Sequence, residues 1–451
     1  MANIEHDRVR DDRLLRYGAR PLDQSRWILI RTTPGYAETY AGQVAILVAA
    51  NLIGRMSRSV ALEVPRTTIV SPLPGAGGDL VSQVLHRMVL SDPNGRYERR
   101  CPEKERPYVV HLGANGHDEV VHGSGWNAYI GPPASPLASC EEDPYNPIGP
   151  AFGAIAAATR LFVYRFNPPA VSRIFDCYAW NDHEVQNIRG APERPTVARH
   201  PWLGDLWCVG CGSVGSAILY FLALSGAKFS ASLFDMDHIK CLNITRSPIF
   251  DESDVKQPKV RIVANFLKHC GVGEITEYPM ALDEANVWQA RPAGTPDLLI
   301  PAANERNVRS LIESYLPPLQ IYGTTGANWQ ASVISHVPMM TGCSRCLFPG
   351  NDLPRTVCAE DPDARNSSPP DDEVDASLPF LSFAAGLMAA ADILKVATHH
   401  YPYIGRRGML STWGGLRLQS VPPRTRSGCP CHGRDQSVYR SVLGSSQYAN
   451  I

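Results

Sequence analysis

Apolar and polar positions in the second half of the chain alternate in the pattern of an α/β fold. LWCVG (206–210) is a short apolar run typical of a buried strand, and SVGSAILYFLALSG (213–226) predicts a buried helix. FSASLFD (229–235) predicts the next strand, and DLLIPA (297–302) and LQIYGTT (319–325) predict later strands. Strands that alternate with helices indicate a doubly wound, Rossmann-like parallel sheet.

The first half of the chain repeats this pattern weakly. GQVAILVAANLIG (42–54) and SVALEV (59–64) parallel the helix and strand that follow LWCVG, and NPIGPAFGAIAAATRLFV (146–163) parallels the Ala-rich helix predicted at 378–397. We therefore predict an internal duplication. The first copy has no glycine-rich turn, so we expect it to have lost its nucleotide site.

Proline-rich and charged stretches divide the two copies. PERPTVARHP (192–201) reads as a linker, which predicts an N-terminal domain over 1–195 and a C-terminal domain over 196–451. A chain of 451 residues is long enough for both cores.

Composition excludes several classes of protein. The net charge is −1, which argues against a net-basic nucleic-acid binder, and no uninterrupted apolar run reaches the length of a membrane span. The charged N-terminus differs from a secretory signal, so we expect a cytoplasmic protein without membrane or nucleic-acid partners. Its 12 cysteines are too few for a disulfide scaffold and suit metal binding or chemistry better.

A glycine-rich turn separates the first predicted strand of the second half from its helix. Gly210, Gly212 and Gly215 form a GxGxxG pattern, in which glycines let phosphate approach the backbone and the helix N-terminus supplies N–H groups. Asp235 lies 20 residues after Gly215, where a carboxylate can accept hydrogen bonds from ribose hydroxyls. Taken alone, these residues indicate either a dinucleotide or ATP.

The residues after Asp235 distinguish the two ligands. Asn243 and Arg246 form an N-x-x-R motif, and Lys259 ends a Q-P-K motif 13 residues after Arg246. An Arg and a Lys at this point suit a triphosphate better than NAD, because both neutralise phosphate oxygens. An NAD oxidoreductase does not require these residues after its ribose carboxylate, and it is therefore the weakest alternative.

In these motifs the sequence resembles the ThiF/MoeB family, the ATP-dependent activating enzymes of ubiquitin-like proteins, over roughly residues 200–435. The resemblance implies that Asp235 holds the ribose, and that Asn243, Arg246 and Lys259 bind the phosphates. The implied reaction joins the C-terminal carboxylate of a small protein to the α-phosphate of ATP. This reaction needs positive charge and a magnesium ion.

One position departs from the family pattern. Asn304, followed by Glu305, stands where the family has an Asp that holds magnesium. An amide is a poorer magnesium ligand than a carboxylate. Three alternatives follow: Glu305 substitutes, Asn304 suffices with waters, or adenylation is impaired.

Two cysteine pairs have the spacing that is typical of zinc ligands. Cys343 and Cys346 form CxxC, and Cys429 and Cys431 form CxC followed by His432. The family carries a structural zinc here, so the resemblance implies that the four cysteines bind Zn²⁺, with His432 as an alternative ligand.

Cys358 lies apart from these pairs, in an acidic, proline-rich stretch. In the family this stretch, at about 350–377, is the crossover loop near the adenylate. Members that form a thioester carry their nucleophilic cysteine there. The resemblance implies that Cys358 is this nucleophile, since an accessible thiolate on a mobile loop suits thioester formation. An incidental loop cysteine is the alternative.

The N-terminus resembles the arm that opens family members, whose arginine reaches an active site. Arg20 is the first candidate for this role and Arg16 the second, with a solvated basic helix as the alternative. A degenerate copy followed by an active copy resembles fused activating enzymes, most closely those of bacterial ubiquitin-like conjugation operons of the Bil/Bub antiphage type.

The resemblance implies a ubiquitin-like protein ending in Gly and a ubiquitin-conjugating-type carrier enzyme as partners. A homodimer would fit the family, although a fused pair makes a monomer sufficient. Activation of a sulfur carrier, modification of a peptide and a non-catalytic scaffold remain alternative functions.

Overall fold

Two eight-stranded sheets, one from each half of the chain, form the frame of this computed structural model. The described residues are 20–116, 119–133, 143–185, 194–282, 296–303, 308, 312, 319–326, 328–337, 346, 378–398, 405–412 and 415–422.

The first sheet is built from strands β1 to β8 and the second from strands β9 to β16, and the described residues also form eight α-helices. The strands of the first sheet are β1 Ile28–Thr32, β2 Ser59–Glu63, β3 Arg96–Glu98, β4 Tyr108–Leu112, β5 Val120–Ser124, β6 Asn127–Gly131, β7 Arg173–Asp176 and β8 Asn181–Glu184. Those of the second sheet are β9 Trp202–Val209, β10 Lys228–Phe234, β11 Ile275–Tyr278, β12 Leu298–Pro301, β13 Gln320–Gly326, β14 Gln330–His336, β15 Arg407–Ser411 and β16 Arg417–Val421. The helices are α1 Pro34–Ala37, α2 Tyr40–Met56, α3 Leu80–Ser91, α4 Ile148–Tyr164, α5 Ser213–Leu224, α6 Cys241–Ile244, α7 Lys259–His269 and α8 Pro379–Ala397.

The two sheets repeat one strand order. The first runs β3-β2-β1-β4-β5-β6-β7-β8 and the second runs β11-β10-β9-β12-β13-β14-β15-β16. In each, the first five strands pair in parallel and the last three pair antiparallel. The predicted doubly wound α/β fold is therefore confirmed, and the N-terminal half repeats its strand order.

The predicted elements of the second half are present with small shifts in their bounds. The first strand begins at Trp202 rather than at Leu206, because pairing with β10 continues past an irregularity between Lys228 and Ser230. The sequence pattern missed this extension because its residues are largely polar or exposed. The other strands and the Ala-rich helix lie where they were predicted.

Small residues let the central helices pack closely. A Cβ atom at Gly386 of α8 would lie 2.4 Å from Cβ of Ala217 in α5, so the two helices touch through their backbones at this point. By length and apolarity α8 could span a membrane, but 89% of its most apolar stretch is buried inside the fold. A core helix of this kind passes the same test.

The two halves pack against each other through their helices. The hydroxyl of Tyr40 in α2 donates to the carbonyl of Leu224 in α5 (2.7 Å), and the rings of Phe162 in α4 and Phe380 in α8 lie 5.2 Å apart. Trp180, just before β8, packs against Gly408 of β15. The halves therefore share a continuous apolar core.

The described part of the predicted linker, residues 194–201, is held against the first half. The indole of Trp126 donates to the carbonyl of Pro195 (2.7 Å), and the amide of Val197 donates to Asp143 Oδ1 (3.0 Å). This connection is a docked segment rather than a free tether.

Candidate functional site

The candidate site lies at the carboxyl edge of the second sheet, where the strand order changes direction. Strand β9 lies between β10 and β12, and all three run parallel, so their carboxyl ends meet at one edge. Ligands of doubly wound folds bind at such a switch point. The glycine turn at 210–215 directly follows β9 and leads into α5.

The glycines of this turn have different roles. Gly210 has a φ of +97°, and a Cβ atom there would lie 2.7 Å from the amide nitrogen of Ala303, just after β12. A Cβ atom at Gly215 would lie 2.0 Å from the carbonyl oxygen of Gly210. Both positions therefore require glycine, because the backbone leaves no space for a side chain.

Gly212 is the N-cap of α5 and faces open space. It supplies no side-chain cap to the helix, and a Cβ atom built on it meets no described atom within 4 Å. The N-terminus of this 12-residue helix is thus approachable. An anion can bind there, because the first-turn N–H groups and the helix dipole are both favourable.

Asp235 follows β10 and closes the turn from the neighbouring strand. Its Oδ2 accepts from the amide of Cys211 (2.7 Å) and its Oδ1 from the amide of Asp237 (2.9 Å). Burial raises the pKa of the Asp235 carboxyl, and the charge of Lys259 partly offsets this rise. The carboxylate is fixed beside the turn, with lone pairs remaining for further donors.

Lys259 begins helix α7 and reaches the same edge. Its ammonium lies 2.7 Å from Asp237 Oδ2, with the Lys259 side chain 8% exposed and that of Asp237 50% exposed. The amide of Lys259 also donates to the carbonyl of Asp237 (3.0 Å). The structure therefore brings a buried cation beside the glycine turn, where its charge acts on Cys211 and Asp235. The sequence patterns did not predict Asp237 as the partner of Lys259.

Asn243 and Arg246 lie on the segment between β10 and α7. Both are buried, at 5% and 7% exposure. Asn243 Oδ1 accepts from the amide of Lys240 (2.8 Å), which fixes the one-turn helix α6. A hydroxyl pair, Ser216 with Ser247 (2.8 Å), ties this segment to the first turns of α5. No sequence pattern predicts this pair.

Several predicted residues lie outside the described part of the chain. These residues include the cysteine of the crossover loop and the amide at the expected magnesium position. They also include three of the four predicted zinc ligands and the alternative zinc ligand. They are Cys358, Asn304, Cys343, Cys429, Cys431 and His432. Cys346 is described and is buried. Among described residues no cluster of three or more His, Cys, Asp or Glu side chains could hold a metal ion.

Arg20 lies at the start of the first half and is exposed. Its carbonyl accepts from the guanidinium of Arg165 (3.1 Å), at the end of α4. Within the described residues, no hydrogen bond or ion pair joins Arg20 to the glycine turn. Arg16 lies outside the described residues.

Three cysteines of the described residues are held as thiols, and one of them, Cys211, lies in the glycine turn. A hydrogen bond to Cys208 and burial raise the pKa of Cys211 well above its usual value. Burial also raises the pKa of Cys177, and that of Cys270 to about 12. A raised thiol pKa disfavours the nucleophilic thiolate, so these cysteines pack rather than react.

The corresponding edge of the first sheet is filled by a side chain. Tyr36, which follows β1, donates to the carbonyl of Gly123 in β5 (3.1 Å), and its ring lies 5.0 Å from that of His122. It also lies against Gly113, just after β4. The first half therefore has a tyrosine where the second half has its glycine turn.

Comparison with known proteins gives a family match. The ThiF family model matches residues 205–431. The NEDD8-activating enzyme E1 catalytic subunit of Schizosaccharomyces pombe is 28% identical over 167 residues, which cover 35% of this chain and 36% of the relative. The sulfur carrier protein adenylyltransferase of Thermus thermophilus is 28% identical over 163 residues, which cover 34% of this chain and 59% of the relative.

The matched regions thus span about a third and about three fifths of these relatives. Among solved structures, that of E. coli MccB with ATP aligns with a TM-score of 0.40 at 20% identity, covering 51% of this chain and 67% of that one.

Proposed function

Because the chain belongs to the ThiF family, we propose that it uses ATP to adenylate the C-terminal carboxylate of a ubiquitin-like protein. The observation that carries this proposal is the pairing of a phosphate-accessible glycine turn with the buried ammonium of Lys259. These features meet at one edge of the second sheet, together with Asp235.

Each residue of the edge has a role in this proposal. The N–H groups at the start of α5 receive a phosphate, and Asp235 accepts from the ribose hydroxyls. Lys259 exchanges Asp237 for a phosphate oxygen when ATP binds. Arg246 and the amide of Asn243 bind the remaining phosphate oxygens.

The chemistry needs this positive charge because both reactants are anions. An oxygen of the cargo carboxylate attacks the α-phosphorus, the bond to the bridging oxygen breaks, and pyrophosphate leaves. The product is an acyl-adenylate. Magnesium supplies further charge neutralisation when it is bound with ATP, and we propose Asn304 and Glu305 as its neighbours.

We further propose that Cys358 accepts the acyl group. Its sulfur attacks the acyl carbonyl, and the bond from the acyl carbon to the phosphate oxygen breaks. AMP departs, and the acyl group is then joined to Cys358 as a thioester. The thioester then passes to a carrier enzyme of the ubiquitin-conjugating type. Cys343, Cys346, Cys429 and Cys431 form a closed zinc site in this proposal, with a structural role.

The first half, within 1–195, is proposed as an inactive partner of the active half, 196–451. Support comes from Tyr36, which fills the space that a nucleotide would need at the carboxyl edge of the first sheet. Arg20 is proposed as the arginine that the N-terminal arm brings to ATP. The Bil/Bub operon type is proposed as the biological setting, in the cytoplasm.

A second function, adenylation without a thioester, is supported by the Thermus relative, which is named a sulfur carrier adenylyltransferase. The two functions share the first reaction and differ at Cys358.

The test combines the protein with ATP, magnesium and ubiquitin-like proteins that end in Gly. Products are separated on a non-reducing gel, with wild type beside Cys358→Ala. We expect a thiol-sensitive adduct that the variant lacks. Pyrophosphate release without any adduct would support the second function. If a cargo that binds the protein yields neither product, the proposed activity is wrong.

A further inference from the structure

Side chains of the first half reach across to the backbone of the second half. They come from α2 and α3 and contact the carbonyl groups of residues 243–251, called here the phosphate segment, which carries Asn243 and Arg246. These contacts join residues about 160 to 200 positions apart in the chain.

Arg55, in the last turn of α2, makes most of these contacts. Its Nη1 donates to the carbonyl of Ile244 and to that of Phe250 (3.1 Å), and its Nη2 donates to Pro248 (3.3 Å). The residue is 4% exposed. Burial lowers the pKa of Arg55 to about 9, so the guanidinium stays charged at neutral pH.

A buried cation of this kind is stable only while its partners stay in place. Its three carbonyl acceptors surround the central part of the phosphate segment, and Arg246 lies between two of them. Moving the segment would leave the guanidinium buried without acceptors, which is costly. Arg55 therefore resists displacement of the backbone on both sides of Arg246.

Two neighbouring side chains reinforce this contact. Asn51 accepts from Arg55 Nε (2.7 Å) and donates to the carbonyl of Pro248 (3.0 Å). Arg87 of α3 donates to the carbonyl of Ile249 (3.1 Å) and lies 3.6 Å from Asp251. The first half thus holds four carbonyls of this segment, one at Ile244 and three in succession at 248–250.

We infer that Arg55 is a positioning residue of the nucleotide site, through which the first half fixes the phosphate segment for binding of the triphosphate. The inference rests on the proposed nucleotide site. It assigns the first half a role in the reaction that does not require a nucleotide site of its own.

The test compares Arg55→Met with Arg58→Met. Arg58 lies three residues further along the chain and pairs with Asp92 (2.8 Å), entirely within the first half. Binding of ATP and of adenosine to each full-length variant is measured by calorimetry. Adenosine reports on the ribose site at Asp235, and ATP reports in addition on the phosphate segment.

For Arg55→Met we expect ATP affinity to fall by about tenfold or more, which corresponds to about 1.4 kcal/mol, with adenosine affinity within about twofold of wild type. Arg58→Met is expected to lower the melting temperature while leaving the ratio of ATP to adenosine affinity unchanged. Arg55→Lys keeps the charge but loses the fork of donors, so its ratio should lie between wild type and Arg55→Met.

The outcomes separate the inference from the proposed function. If wild type binds neither ligand, the proposed nucleotide site is wrong. If wild type prefers ATP and Arg55→Met keeps that preference, or if both ligands weaken equally, the positioning role is wrong. Should Arg55→Met not fold, Asn51→Ala takes its place and must lower ATP affinity selectively.

Discussion

A buried ion pair of the second half, packed against aromatic rings of the first half, gives a quantitative test of how the two halves hold together. Lys395 and Asp392, both in α8, are fully buried, and the Lys395 ammonium lies 2.9 Å from Asp392 Oδ1. The first half surrounds this ammonium with aromatic rings, the nearest being Trp180 at 3.8 Å from the ring centroid. The perturbation is Lys395→Met, which keeps an unbranched apolar side chain and removes the ammonium with its charge.

The expected loss of stability in Lys395→Met depends on the Asp392 carboxylate, which stays buried after its partner is removed. Removing one partner of a buried pair typically costs about 3–5 kcal/mol, because the other charge stays buried. Asp392 keeps two donors, the Trp180 indole (2.9 Å) and the Ser335 hydroxyl (2.6 Å), which moderates this cost. The desolvated cation–π contact adds about 2 kcal/mol to the loss. We therefore expect about 3–5 kcal/mol for Lys395→Met.

The assay is urea unfolding followed by far-UV circular dichroism. The control is Lys268→Met, because Lys268 makes the same 2.9 Å contact, to Glu277, but is 48% exposed. The free energy of unfolding of the control should fall by at most about 1 kcal/mol. The double variant Lys395→Met with Asp392→Asn should recover part of the loss, since no unpaired charge remains. A loss below about 1 kcal/mol for Lys395→Met would refute the reasoning.

Three further predictions concern pH and the nucleotide site. Burial raises the pKa of Asp143 to about 6. The folded state then binds more protons than the unfolded state between about pH 4 and 6, so the free energy of unfolding falls by up to about 3 kcal/mol as pH rises through this window. In urea unfolding of Asp143→Asn, this free energy should depend less on pH than it does in wild type. Gly215→Ala should abolish the shift in melting temperature caused by ATP, because its Cβ would lie 2.0 Å from the Gly210 carbonyl; an unchanged shift would contradict the account of the turn. Asp235→Asn should weaken the binding of both ATP and adenosine, as measured by calorimetry. The affinity of wild type for both ligands should fall on acidification through the raised pKa of Asp235. A variant that binds both ligands like wild type at every pH would exclude the ribose role of Asp235.

The fold and much of the site could be predicted because their signals are local. Gly210 and Gly215 are required by backbone contacts within one strand–turn–helix unit, and a unit of this kind has a recognisable sequence pattern. Asp235 and Lys259 follow at fixed spacing, and the parallel strands bring them to the same edge. The repeat was also visible, because both sheets use the same order of apolar strands and small-residue helices.

Contacts between the halves could not be predicted in this way. Arg55 looks like an ordinary last-turn arginine in its sequence, and its acceptors are main-chain carbonyls 189 to 195 residues away. A carbonyl acceptor leaves no trace in the identity of its residue. The same holds for Trp180 and Asp392, which meet only when the two halves pack together.

The central claim is that this edge of the second sheet activates a carboxylate with ATP, and ATP–pyrophosphate exchange tests it most directly. The protein is supplied with labelled pyrophosphate, ATP, magnesium and a ubiquitin-like protein ending in Gly. We predict cargo-dependent exchange in wild type and in Cys358→Ala, since the adenylate forms before the thioester, and its loss in Lys259→Ala. Exchange that is absent from wild type with a bound cargo, or unchanged in Lys259→Ala, would contradict the account.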